Sequence, residues 1–131
     1  MIKLIELPKI IDRRGNLSFF ENTNQIPFEI KRIYWIYDVP GGETRGGHAY
    51  KNLKEIVIAL SGSFDVHTEG SDFKKVYSLN RSYNALFLPP GTWRSLQNFS
   101  TNAVCLVAAS DFYNEDDYIR DYGSFQLFIK R

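Results

Sequence analysis

At 131 residues the chain is the size of one domain, long enough to bury roughly two-thirds of its unfolded surface without a disulfide or metal staple. Sixteen Lys and Arg against 15 Asp and Glu leave a formal charge of +1, which gives no electrostatic case for nucleic acid or an anionic membrane. One cysteine excludes an internal disulfide, no apolar run approaches the ~20 residues that span a bilayer, and MIKLIELPKI carries Glu6, Pro8 and Lys9 where a secretory leader needs an unbroken apolar stretch, so a cytoplasmic location is expected.

In chain order the texture is short β-prone runs punctuated by Gly, Pro, Asn and Ser. LSFFE (17–21) is the first candidate strand. KRIYWIYDV (31–39), β-branched and aromatic, ends at Pro40-Gly41-Gly42; its residues 32, 34 and 36 share one face and 33, 35 and 37 the other. Tyr34 or Tyr37 is therefore a candidate to enter an interior pocket. EIVIALSG (55–62) and SFDVHT (63–68) meet at Ser61-Gly62-Ser63, a hairpin signal. DFKKVYSL (72–79), NALFLP (84–89), RSLQNF (94–99) and AVCLVAAS (103–110) complete the series. The last run buries Cys105, a small hydrophobe there rather than a reactive thiol. Only the segment after Asp111 hints at helix, and its acidic stretch DFYNEDDYIRD reads as a solvated, partly helical cap. There is no repeat and no linker, and the spacing predicts one all-β domain, a sandwich or barrel.

The chemistry concentrates around RGGHAYKN (45–52). Gly42 is followed by five residues, His48, one residue, Tyr50, four residues, Glu55, six residues and Gly62. In a strand, residues 48 and 50 look into the same volume, and a glutamate on the next strand reaches it from the side. Glycines 41, 42, 46 and 47 permit a tight, irregular approach. Downstream, Pro89-Pro90-Gly91 leads through Thr92 and Trp93 to Arg94, with Asn98 four residues on. The two spacings resemble the paired motifs of the cupin superfamily, which implies a single jelly-roll β-barrel over residues 1–131 with a short helical or irregular C-terminal cap.

Metal-binding cupins use three histidines and a glutamate; here Tyr50 and Arg94 stand at two of those positions. A guanidinium repels a divalent ion and cannot be deprotonated to bind one, so no metal and no cofactor are expected. His67 is read as a surface residue. The pocket looks built for an anionic organic ligand, with Arg94 and Arg45 as partners.

Beyond the superfamily, IPFEIKRIYWIYDVPGGETRGGHAYK, EIVIALSGSFDV, PPGTW and FYNEDDYIRDY are similar to the sugar 3,4-ketoisomerases that act on dTDP-4-keto-6-deoxyglucose. The resemblance implies metal-independent cupins whose partner is a dTDP-linked 4-keto-6-deoxy sugar. It also implies homodimers that exchange N-terminal strands (about 1–25), and a place in polysaccharide biosynthesis ahead of an aminotransferase. That family carries His-Ala-His-Lys where this chain has His48-Ala49-Tyr50-Lys51. Isomerisation needs a base near neutrality for the C3 proton, which imidazole supplies, and a donor or cation for the enediolate. His48 is the expected base and Tyr50 the acid or relay, since a phenol near pKa 10 donates well but is a poor base. Tyr34 completes the catalytic set, and Glu55 is a candidate to orient His48. Arg45, Arg94, Arg32, Trp93, Tyr37, Glu55 and Lys51 form the expected substrate-binding set, with Trp93 either stacking on the ligand or capping the barrel. The competing readings are a nucleotide-sugar epimerase and a non-catalytic sugar-nucleotide-binding cupin.

Overall fold

In a computed structural model that describes residues 1–130, the alternating runs form two five-stranded antiparallel sheets facing one another around a shared core, the jelly-roll barrel of the cupins. The first sheet has β1 (Lys3–Glu6), β4 (Arg32–Ile36), β6 (Glu55–Ser61), β9 (Asn84–Leu88) and β11 (Val104–Ala109), in the order β1-β9-β6-β11-β4. The second has β5 (Arg45–Tyr50), β7 (Phe64–Glu69), β8 (Lys74–Leu79), β10 (Trp93–Gln97) and β12 (Tyr118–Ile119), in the order β12-β5-β10-β7-β8. A two-stranded ribbon, β2 (Lys9–Ile10) with β3 (Leu17–Ser18), stands apart near the N-terminus. The C-terminal cap is a 3₁₀ turn at Glu115–Asp117 followed by α1 (Tyr122–Ile129).

Period-two alternation decides what enters the barrel. Val57, Ala59, Phe64, Val66, Leu79, Leu86, Leu88, Leu96, Cys105 and Val107 fill one end as a closed apolar core. Cys105 is fully buried there, and burial pushes its thiol up to about 12, as expected of a packing residue. The opposite face of β6 is also buried, because Leu7, Ile26 and Phe28 fold back over Ile56, Ile58, Ala85 and Ala108. Double burial explains why EIVIALS reads as a continuous apolar run rather than an alternating one.

Several expected strands are shorter in the structure. The run at 17–21 pairs only through Leu17–Ser18, since Phe20 leaves the ribbon to pack over the outer face of the first sheet. β1 falls within the N-terminal strands expected over about residues 1–25, whereas β12 was not anticipated, being too short to announce itself. The helix is held by an Asp121 cap, whose carboxylate accepts from the Ser124 N–H, and by Phe125 buried against Ala49 and Ile119. Among the described residues no helix is long and apolar enough to cross a membrane.

One irregularity sets up everything at the open end. In β5 the register against β10 runs Leu96↔Arg45, Ser95↔Gly46, then Arg94↔His48, so Gly47 is the extra residue of a β-bulge. Gly46 and Gly47 have φ of 92° and 82°, a region L side chains rarely adopt, and a Cβ on Gly46 would lie 3.2 Å from the Arg94 carbonyl oxygen. Residues 45 and 48, three apart, would face opposite sides of a regular strand. The bulge brings both to the inner face.

Candidate active site

Opposite the apolar core the barrel opens into a cavity of about 450 Å³ walled by Arg32, Tyr34, Arg45, His48, Tyr50, Glu55, Arg94, Tyr118 and Arg120. At its base lies an ion pair that joins the two sheets. Arg94 of β10 donates from Nη1 to Glu55 Oε1 of β6 at 2.6 Å, and both side chains are within a few per cent of full burial. Arg94 Nε donates to the Thr92 carbonyl at 3.1 Å, and the Tyr34 hydroxyl donates to Glu55 Oε2 at 2.9 Å. Both oxygens of Glu55 are thus engaged. This donor set does not suit a divalent cation: the carboxylate is taken, and the remaining position carries fixed positive charge.

Among the described residues, four buried polar atoms have no protein partner: Arg94 Nη2, Arg32 Nε, Arg32 Nη2 and His48 Nε2. Each belongs to a residue that lines this cavity. Unpaired buried polar atoms are costly, and their convergence, with three guanidinium donors among them, points to a polar, electron-rich ligand that satisfies them.

Burial first, and then the positive fields of Arg94 and Arg120, pull the His48 imidazole down to about 3. It is neutral at pH 7 and holds a free ring nitrogen. Its ring packs edge-on against Tyr50 at 5.0 Å between centroids and lies 5.2 Å from Tyr118. Burial pushes both interior phenols up: Tyr34 is raised further by the Glu55 charge, and Tyr50 by Glu55 and the neighbouring Tyr118. The Arg94 guanidinium sits 4.9 Å over the Tyr50 ring, and that of Arg32 sits 5.4 Å over Tyr34. At the mouth, Arg120 makes a two-pronged contact with Glu115 (2.6 and 2.9 Å), and Tyr113 donates to the same carboxylate.

Of the residues expected from sequence, His48, Tyr50, Tyr34, Glu55, Arg94, Arg45 and Arg32 come together here. Three do not. Trp93 points to the outer face of the second sheet, packed on Tyr122 and Phe125 beneath the helix, because it neighbours inward-facing Arg94 in the strand. Tyr37, just past the end of β4, lies in an outer groove with Trp35 and Leu60, on the face opposite Tyr34. Lys51, past the end of β5, lies against the cap with Ser124 and Phe128. Glu55, expected to orient His48, is spent instead on Arg94 and Tyr34. His67 lies on the outer face of the second sheet, near Trp93 and Gln97, as read.

Two site residues were missed, Tyr118 and Arg120, because DFYNEDDYIRD reads as a solvated cap. The usable signal was their i, i+2 spacing in YIR, which puts both on one strand face. The segment is pinned by Asp117, whose carboxylate accepts from the backbone of Asn52 and Leu53 and from the Asn52 amide at 3.0–3.1 Å.

A family model described as FdtA: WxcM-like, C-terminal matches residues 1–130. A curated relative from Aneurinibacillus thermoaerophilus, TDP-4-oxo-6-deoxy-alpha-D-glucose-3,4-oxoisomerase, is 40% identical over 98% of this chain and 93% of its own. QdtA, a sugar 3,4-ketoisomerase from Thermoanaerobacterium thermosaccharolyticum solved with TDP, superposes with a TM-score of 0.96 at 37% identity, covering 98% of this chain and 94% of that one. A 3,4-ketoisomerase from Helicobacter canadensis gives 0.95 at 42% identity over 99% and 98% of the two chains.

The ion pair and the imidazole each yield an expected outcome. Glu55→Leu strands a guanidinium in the core and should cost ~3–5 kcal/mol in urea unfolding, whereas the double variant Glu55→Leu/Arg94→Met should recover most of it. Because folding lowers the His48 pKa from the ordinary value, the unfolded chain binds the extra proton first; His48 contributes stability fully present above pH 6.5 and lost as pH falls toward 3. His48→Asn should therefore flatten the stability curve between pH 6.5 and 5, by at most about 1.4 kcal/mol per pH unit. An unchanged slope would mean that the ring is freely protonated in the folded protein.

Proposed function

This chain belongs to the FdtA, WxcM-like family and is a sugar 3,4-ketoisomerase, and we propose that it moves the keto group of a dTDP-linked 4-keto-6-deoxyhexose from C4 to C3 through an enediolate. What supports the mechanism is the convergence on one cavity of a neutral imidazole with a free nitrogen and a buried guanidinium with an unpaired N–H. The C4 ketone acidifies the C3 proton, and His48 takes it. The resulting negative charge develops where Arg94 Nη2 has a donor to give, an interaction that costs no reorganisation because Glu55 and the Thr92 carbonyl already hold the guanidinium. His48, now imidazolium, returns the proton to C4. Tyr50, on the same strand face, is the acid or relay for the sugar oxygens, and Tyr34 acts through Glu55 by fixing its second oxygen.

Substrate charge completes the base. Arg32 and Arg45 line the same cavity as His48 and suit a diphosphate. An imidazole near 3 is a feeble base in the empty pocket, and part of that depression comes from surrounding arginine charge. A bound diphosphate offsets that field and makes the imidazolium easier to form, so the base gains strength only with substrate in place.

We further propose a homodimer built through the N-terminal segment. β4 is an edge strand whose outer stripe, Ile33, Trp35 and Tyr37, is about half exposed or more, and the ribbon exposes Ile10, Ile11 and Leu17.

His48→Asn should lose turnover of dTDP-4-keto-6-deoxyglucose by at least ~10²-fold, together with C3 hydrogen–deuterium exchange, while binding dTDP nearly as well. Activity within tenfold of the parent would remove His48 as the base. For the assembly, sedimentation should show a dimer for the parent and a monomer for Trp35→Glu; a monomeric parent would overturn the dimer.

A further inference from the structure

Moving a ketone from C4 to C3 requires two proton transfers of different kinds. One proton moves between carbons, through His48. The other must leave the C3 oxygen and reach the C4 oxygen, and a single imidazole that is already carrying the carbon-bound proton is not free to do it.

Beside His48 the pocket holds two phenols side by side. Tyr118 of β12 is the direct cross-strand partner of Tyr50 in β5, so both side chains project from the same face of the sheet, the face that carries His48. Their ring centroids lie 4.6 Å apart, the closest aromatic pair of the site. They differ in access: Tyr50 is 1% exposed at the deep wall, whereas Tyr118 is part-exposed and stands between it and the mouth. The Arg120 guanidinium lies 4.0 Å over the Tyr118 ring, and the Arg94 guanidinium lies over that of Tyr50, so a cation faces each phenol and eases transient negative charge on its oxygen. Nothing about this placement is loose, since Lys51 N–H donates to the Asp117 carbonyl and the Asp117 side chain clamps the β5–β6 connection immediately before Tyr118.

We propose that Tyr118 is a further proton-handling residue of this reaction, forming with Tyr50 a two-phenol relay that carries the hydroxyl proton from the C3 oxygen to the C4 oxygen. The inference rests on the isomerase reading above. After His48 removes the C3 proton, the C4 oxygen is anionic and the C3 oxygen still bears hydrogen. One phenol gives its proton to the C4 oxygen, the other takes the proton of the C3 oxygen, and one proton passes between the two neighbouring hydroxyls. An O–H bond forms at C4, one breaks at C3, and both phenols end neutral. The imidazolium then protonates C4, and the 3-keto product results with no oxidant or other reactant needed.

The relay and the base separate experimentally, because returning the proton to C3 exchanges hydrogen without any transfer between oxygens. With dTDP-4-keto-6-deoxyglucose in D₂O, Tyr118→Phe should keep C3 exchange within about threefold of the parent, while formation of the 3-keto sugar falls ~10²-fold. The parent should show a solvent isotope effect with more than one proton in flight, reduced in the variant, and dTDP affinity and the unfolding midpoint should stay close to the parent values. Product formation within threefold of the parent would overturn the relay, as would equal losses of exchange and product. A parent protein that neither exchanges nor converts the sugar would overturn the isomerase reading and the relay together, which the parent reaction alone reveals. Tyr118→Leu, which removes the ring as well, should match Tyr118→Phe in product formation; a Phe variant that keeps activity lost only in Leu would assign the residue to packing and overturn the relay.

Discussion

The ion pair between Glu55 and Arg94 is the constraint around which the open end of the barrel is arranged. It bridges the sheets at a depth where neither charge tolerates solitude, and the geometry that satisfies it also fixes what surrounds it. Tyr34 must sit where it can occupy the second carboxylate oxygen, and the Thr92 carbonyl must turn inward to hold the guanidinium. Arg94 also places permanent positive charge beside His48, adding to the burial that keeps the ring neutral. A core of comparable volume made of leucines would be as stable or more so, and it would have no chemistry.

Electrostatics then couples binding to reactivity. Arg32, Arg45, Arg94 and Arg120 line one small cavity with a single carboxylate at its base and one more, Glu115, at its rim. The Arg120 contact with side chains so close holds Glu115 down to about 2, so the rim pair persists across the neutral range. Burial and then the excess of guanidinium suppress the imidazolium in the empty pocket. Under the proposed mechanism an anionic substrate offsets that field, and base strength becomes a property of the complex.

Much of this was legible in the chain. The two spaced motifs announce the barrel, the stretch from β5 into β6 announces His48 and Glu55, and alternation in KRIYWIYDV puts Arg32 and Tyr34 on one face. Alternation also holds the answer to the misplaced residues: Trp93 follows the opposite parity from Arg94, and Tyr37 from Tyr34. What sequence could not supply was pairing across long separations. That Glu55 spends itself on Arg94, 39 residues away, rather than on His48 depends on how the sheets face one another. That a two-residue strand at 118–119 lines up beside β5 depends on the Asp117 clamp, and no local propensity encodes it. A charged, tyrosine-rich tail reads as solvated because its partners lie more than sixty positions upstream.

The Gly46-Gly47 bulge has a consequence for how such a pocket can diversify. A regular strand enforces one phase along its length, so ligand-gripping and proton-moving positions would have to occur at even separations. The inserted residue splits β5 into two segments of opposite phase that share a single inner surface. Upstream the inner surface carries Arg45; downstream it carries 48 and 50. Substitutions in either half leave the other in step, so position 50 can change its side chain without shifting the phase of Arg45.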